Sequence, residues 1–120
     1  MARILTVDDS VAMRQMVEVT LTSAGYDVKQ AVNGVEALNI AETQSFDLVI
    51  TDVNMPNMDG ITLVKELRAK PNYKFVPLLV LTTEATQERK QQGKAAGATG
   101  WLVKPFNPER LLATIAKVLA

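Results

Sequence analysis

Four short apolar runs in the sequence each stop at a polar group that could do chemistry. Ile4–Val7 runs into Asp8-Asp9, Leu48–Thr51 into Asp52, Leu78–Leu81 into Thr82-Thr83, and Gly100–Val103 into Lys104-Pro105. If the four runs are strands of one parallel sheet, these ends share one edge, where open α/β sheets bind ligands. That edge would hold three carboxylates, at least one hydroxyl and one ammonium. Strand ends commonly meet solvent, so one polar residue there says little. Three Asp converging beside a Lys say more. Two carboxylates about 4 Å apart repel by roughly 4 kcal/mol at an effective dielectric near 20. Three of them against one ammonium leave two negative charges, which one divalent cation would neutralise. An all-oxygen donor set suits Mg²⁺, which takes one or two carboxylates together with water and phosphate oxygens.

The rest of the chain reads as the scaffold for that edge. After the strand at Ile4–Val7, residues 10–24 carry Met13, Val17, Leu21 and Ala24 at helical spacing, with Gly25 as the stop. Met13 and Met16 are expected in the core. Residues 26–32 form a polar strand, placed at an edge. Asn33, followed three positions on by Glu36, opens a helix through about Thr43. Leu48–Thr51 is apolar enough to be buried on both faces. Residues 53–59 read as a loop, whose Met55 and Met58 are expected to ring the site. Asp59 caps a helix carrying Ile61, Val64 and Leu67. Pro77 precedes the strand Leu78–Leu81. A helix from about Thr86 to Ala96 follows, ending at Gly97. Gly100–Val103 is the fifth strand, and Asn107-Pro108-Glu109 starts a last helix with Leu112, Ile115 and Leu119. Five strands alternating with five helices predict a parallel sheet covered on both faces by right-handed crossovers.

Composition narrows the function classes. At 120 residues the expectation is one domain, 1–120. Thirteen basic residues balance thirteen acidic ones, which argues against nucleic acid or an anionic membrane as the main partner. No Cys and no His are present, so thiolate metal sites, disulfides, His-ligated metals and Ser-His-Asp triads are excluded. The apolar run after Arg3 is too short for a signal peptide. The cytoplasm is the expected location, and a monomer the expected state.

Taken together, Asp8-Asp9, the run from Asp52 through Val53-Asn54-Met55-Pro56-Asn57-Met58-Asp59 to Gly60, Thr82-Thr83-Glu84-Ala85 and Lys104-Pro105-Phe106 resemble the receiver domains of two-component response regulators. Within these the stand-alone chemotaxis regulators are the nearest likeness. It spans essentially the whole chain, with the motifs in the right order. It implies a doubly wound (βα)5 fold of strand order 2-1-3-4-5. It implies that Asp52 is the phosphoacceptor, that Asp9 binds Mg²⁺ directly and Asp8 mainly through water, and that Asn54 offers its backbone carbonyl to the metal. Lys104 would contact the phosphoryl oxygens, aimed into the pocket by a cis Lys104-Pro105 bond. Thr82 would be the switch hydroxyl and Trp101 the aromatic that reorients on activation. The implied phosphodonor is a histidine kinase. The implied output partner is the flagellar motor switch or another chemotaxis protein.

The residue chemistry agrees with these roles, since phosphoryl transfer needs a positioned nucleophile and charge on the equatorial oxygens. The donor histidine would belong to the kinase. Residues 85–98 hold Glu88 against Arg89, Lys90 and Lys94, a net charge of +2. Such a run is usually a solvated face; the resemblance makes it part of the output surface. Other readings are a phosphate sink or relay shuttle, a flavodoxin-like electron carrier and a Mg²⁺-dependent aspartyl phosphatase. A flavin phosphate would be repelled by Asp8-Asp9. The phosphatases carry an Asp-x-Asp near the N-terminus, where this chain has none.

Overall fold

The computed structural model describes residues 2–120, so Met1, the first residue of the expected domain, lies outside it. The chain order is β1 (Arg3–Val7), α1 (Val11–Ser23), β2 (Asp27–Ala31), α2 (Gly34–Thr43), β3 (Leu48–Thr51), α3 (Gly60–Arg68), a 3-10 turn (Pro71–Tyr73), β4 (Leu78–Thr82), α4 (Gln87–Ala96), β5 (Gly100–Val103) and α5 (Pro108–Leu119). All four strand pairings are parallel, in the order β2-β1-β3-β4-β5. Among the described residues no helix is long and apolar enough to cross a membrane.

The period-2 geometry of a strand sends neighbouring side chains to opposite faces. Leu5, Val7, Val49, Leu78 and Val80 therefore pack under α2 and α3, with Ala37, Ala41, Leu63, Val64 and Leu67. Ile4, Leu48, Ile50, Leu79 and Leu81 pack under α1 and α5, with Val17, Leu21, Leu111 and Ile115. Only the edge strand β2 alternates exposed and half-buried residues along its length. Each helix starts at a side-chain cap: Ser10, Asn33, Asp59, Thr86 and Asn107 each accept a hydrogen bond from the backbone N–H three residues on.

Two expectations about methionines fail. Met13 packs on the core, but Met16 is 55% exposed. The buried stripe of α1 runs through residues 13, 17 and 21, and Met16 sits about 100° away from Val17 around the helix. Met55 and Met58 do not ring the site either; both pack against the α2–α3 core, where Met58 lies over Gly34. The 3-10 turn had no signal beyond Pro71. It buries Tyr73, whose hydroxyl donates to the Gln44 carbonyl at 2.7 Å.

Arg68, at the end of α3, ties three segments together. Its Nε donates to the Gly97 carbonyl at 2.9 Å, and its Nη1 to the carbonyls of Tyr73 and Val76 at 2.7 and 2.6 Å. Burial lowers the guanidinium's pKa from its ordinary value. Gly97 itself closes α4 with φ of 112°, a left-handed conformation that glycine adopts without strain.

Candidate functional site

The sheet register places Val7 beside Thr51, Thr51 beside Val80, and Thr82 beside Val103, so β1 and β3 end level and β4 and β5 run two residues further past the same edge. The residues just past those ends form the site. Asp8, Asp9 and Asp52 each offer a carboxylate oxygen, and these oxygens lie within 4.8 Å of one another. Asp8 and Asp52 are buried, while Asp9 is exposed. Lys104 Nζ donates to Asp8 Oδ2 at 2.7 Å and to Asp52 Oδ2 at 3.2 Å. The Lys104–Pro105 bond is cis, as the resemblance implied.

Lys104 sits between opposing effects. Burial would lower its pKa, but the Asp8 hydrogen bond and the charges of Asp52 and Asp8 outweigh it, and the ammonium is held above its ordinary value. The two buried carboxylates are compensated by backbone as well. Asp8 Oδ1 accepts from Ser10 N–H at 2.9 Å and Asp52 Oδ1 from Val53 N–H at 2.7 Å. Among the described residues no protein group holds the Asp9 carboxylate. An exposed, unheld oxygen donor beside two buried ones, with one ammonium for three carboxylates, is a donor set that fits a hard divalent cation such as Mg²⁺. Asn54 lies two residues past Asp52 in the 53–59 loop and is itself exposed.

Asp52 is fixed through its main chain. Its N–H donates to the Val7 carbonyl at 2.9 Å, and its own carbonyl accepts from the Thr51 hydroxyl at 2.8 Å. Gly60, the first residue of α3, comes so close that a Cβ on it would stand 1.8 Å from the Asp52 carbonyl oxygen. No feature of the sequence beyond the Asp59-Gly60 pair signalled that contact.

The remaining expected residues lie around this centre. Thr82 is fully buried, and its Oγ1 accepts from Glu84 N–H at 3.2 Å. Its carbonyl accepts from Lys104 N–H at 2.8 Å, which joins the hydroxyl's strand directly to the ammonium's. Trp101 is half-buried on β5 and donates its indole N–H to the Glu84 carbonyl at 2.9 Å. Thr82 and Trp101 thus hold the two backbone polar groups of one residue, Glu84. Arg89 is 4.0 Å from Asp59 and bonds Gln92 at 2.7 Å. Lys90 and Lys94 line a groove with Ala98, Thr99, Gly100 and Trp101.

Gly93 explains how a bulky indole fits here. It is the only buried residue of α4, and a Cβ there would stand 2.6 Å from Trp101 Cζ3. Gly93→Ala adds up to about 1 kcal/mol of helix propensity, but overpacking costs about 1–3 kcal/mol. A net loss of about 1 kcal/mol is expected in chemical denaturation, with a shifted Trp101 emission. A more stable variant with unchanged emission would show that the indole does not depend on Gly93.

Residues 4–116 match the response regulator receiver domain family. The structure of chemotaxis protein CheY4 from Vibrio cholerae superposes with a TM-score of 0.95 at 58% identity, over 98% of each chain. The receiver domain of the sensor histidine kinase PA1611 from Pseudomonas aeruginosa, solved with a magnesium ion coordinated in its active-site cleft, gives 0.92 at 31% identity, over 98% of this chain and 97% of that one. Among curated proteins, the transcriptional regulator RpaA of Synechocystis is 38% identical over 99% of this chain, which spans about half (49%) of RpaA's length.

Proposed function

The chain belongs to the response regulator receiver family, and from that premise we propose that it is a phosphorylation-controlled switch of a chemotaxis system. Asp52 accepts a phosphoryl group from a histidine kinase, and the phosphorylated form is read by the flagellar motor switch or another chemotaxis protein. The protein is a signalling switch; the only chemistry it promotes is its own phosphorylation and dephosphorylation. The observation that carries the reading is the convergence of Asp8, Asp9 and Asp52 beside the Lys104 ammonium.

In the transfer, an Asp52 carboxylate oxygen attacks phosphorus, the O–P bond forms, and the P–N bond to the donor imidazole breaks. Asp8, Asp9, Asp52 and the Asn54 carbonyl would hold Mg²⁺, which would supply positive charge to offset that of the phosphoryl oxygens. Lys104 supplies a second cation that is already in place and needs no reorganisation. Thr82 exchanges its bond to Glu84 N–H for one to the phosphoryl group. That releases the 83–85 turn on which Trp101 also holds, and α4 with its basic residues Arg89, Lys90 and Lys94 shifts as one element.

The test combines modification and binding. Acetyl phosphate with Mg²⁺ is expected to give a single phosphoryl adduct by intact mass, and EDTA to prevent it. Thr82→Ala is expected to remain phosphorylatable, several-fold more slowly, while the ratio of partner affinities between the phosphorylated and unphosphorylated forms collapses towards one. An undiminished ratio in Thr82→Ala refutes the Thr82 link. Equal affinities in the unsubstituted protein refute the switch and favour a phosphate sink.

A further inference from the structure

Asp8 is held at every polar atom. Its N–H donates to the Ala31 carbonyl at 3.2 Å, and its carboxylate oxygens accept from Ser10 N–H and Lys104. Its backbone carbonyl accepts from Arg14 Nη1 at 2.6 Å. Asp9, the next residue, is exposed and no protein group among the described residues holds its side chain. The two residues share one planar peptide, so the direction of the Asp8 carbonyl sets the plane from which the Asp9 Cα departs. We propose that Arg14 is a positioning residue for the metal site: by clamping the Asp8 carbonyl, it orients the one metal-binding carboxylate that nothing else holds.

The clamp is braced from a second element. Arg14 Nε donates to Gln30 Oε1 at 3.2 Å, and Gln30 Nε2 donates in turn to Glu18 Oε2. Gln30 lies on β2, the strand that also holds Asp8 N–H through Ala31. Arg14 and Glu18 are the only charged residues of α1, and both turn to this brace while Val11, Ala12, Gln15, Met16 and Val19 stay exposed. Arg14 makes no salt bridge among the described residues. Its guanidinium is therefore spent on a carbonyl and an amide beside a cluster of three carboxylates, a placement that positions backbone and does not neutralise an acid. A planar guanidinium can hold both groups at once, which an ammonium cannot do as rigidly.

Electrostatics and positioning predict opposite signs. A cation beside a Mg²⁺ site repels the metal, so charge alone makes Arg14→Ala bind Mg²⁺ more tightly. Lost positioning makes it bind more weakly, by about 10-fold, the low end of what groups that orient metal ligands are worth. The inference rests on the reading of Asp8, Asp9 and Asp52 as the Mg²⁺ site, and Asp9→Asn tests that reading separately.

The experiment is calorimetric Mg²⁺ titration of the folded protein and the variants Asp9→Asn, Arg14→Ala, Arg14→Lys and Gln30→Ala. The expected result is about 10-fold weaker binding in Arg14→Ala, recovery of only part of that in Arg14→Lys, and a smaller, few-fold loss in Gln30→Ala. Phosphorylation by acetyl phosphate should need more Mg²⁺ for half-saturation in Arg14→Ala, yet reach a saturated rate within about 2-fold of the original, which general loosening of the fold would not produce. Unchanged or tighter Mg²⁺ binding in Arg14→Ala, with Asp9→Asn weakened, overturns the inference alone. Unchanged binding in Asp9→Asn overturns the metal reading and the inference with it. If Arg14→Ala does not fold, Gln30→Ala decides, and undiminished Mg²⁺ affinity there overturns the proposal.

Discussion

Asp52→Asn is expected to abolish phosphoryl uptake while leaving the fold intact. The substitution is nearly isosteric. The amide oxygen can keep the bond from Val53 N–H, and the main-chain bonds to Val7 and Thr51 do not involve the side chain. The nucleophilic carboxylate is gone, and losses of at least about 10³-fold are usual when a covalent nucleophile is removed. One of the two carboxylates that share Lys104 Nζ also disappears. Less repulsion remains, so without metal the variant should be as stable as the original or more so. Intact mass after treatment with acetyl phosphate and Mg²⁺ is the measurement. An adduct on the variant would move the acceptor elsewhere.

Gly60→Ala should produce the largest loss of stability of any single-methyl addition at a glycine. A Cβ at 1.8 Å from the Asp52 carbonyl oxygen, 2.8 Å from its carbon and 3.0 Å from Val53 Cα meets backbone at each of these contacts. A flexible side chain could swing away; the end of β3 cannot. It is hydrogen-bonded to β1, and Gly60 N–H itself donates to the Val53 carbonyl at 2.9 Å. Either α3 or the end of β3 must move, at a cost of about 3 kcal/mol or more. Chemical denaturation should read that loss, and the fraction still folded should take up phosphate more slowly, because the shift lands on Asp52. A change below about 0.5 kcal/mol would mean that α3 starts farther from β3 than described.

The fold was legible because its signals were local. The strands at Leu48–Thr51 and Gly100–Val103 were bounded as observed, and Thr86 and Gly97 bracketed α4 despite its polar composition. The polar residues at the ends of four parallel strands had to meet, and Asp8, Asp9, Asp52 and Lys104 do. What escaped were contacts between elements far apart in sequence. Periodicity cannot show that Gly60 abuts the Asp52 carbonyl, that Gly93 seats an indole, or that Arg14 reaches back to Asp8. Met16 escaped for a different reason: it is apolar, but it lies just outside the stripe that α1 turns inward. A faint trace of the Arg14 brace was present in the pair Arg14 and Glu18, one helical turn apart on a helix otherwise free of charge.

Arg68 gives α4 the mechanics of a lever. The C-terminal end of the helix is pinned, because the Gly97 carbonyl is held by a guanidinium that also grips the carbonyls of Tyr73 and Val76. The N-terminal end, at Thr86, hangs from the turn next to the acidic edge, with Arg89 4.0 Å from Asp59 as its outlying tether. A ten-residue helix is about 15 Å long, so a tilt of about 5° about the pinned end carries the free end through about 1.3 Å while the fulcrum stays still. Displacement is thus graded along the helix: Arg89 and Lys90 ride near the moving tip and Lys94 near the fulcrum. A partner gripping the first turn would sense the full stroke of such a tilt, and one gripping the last turn would sense almost none.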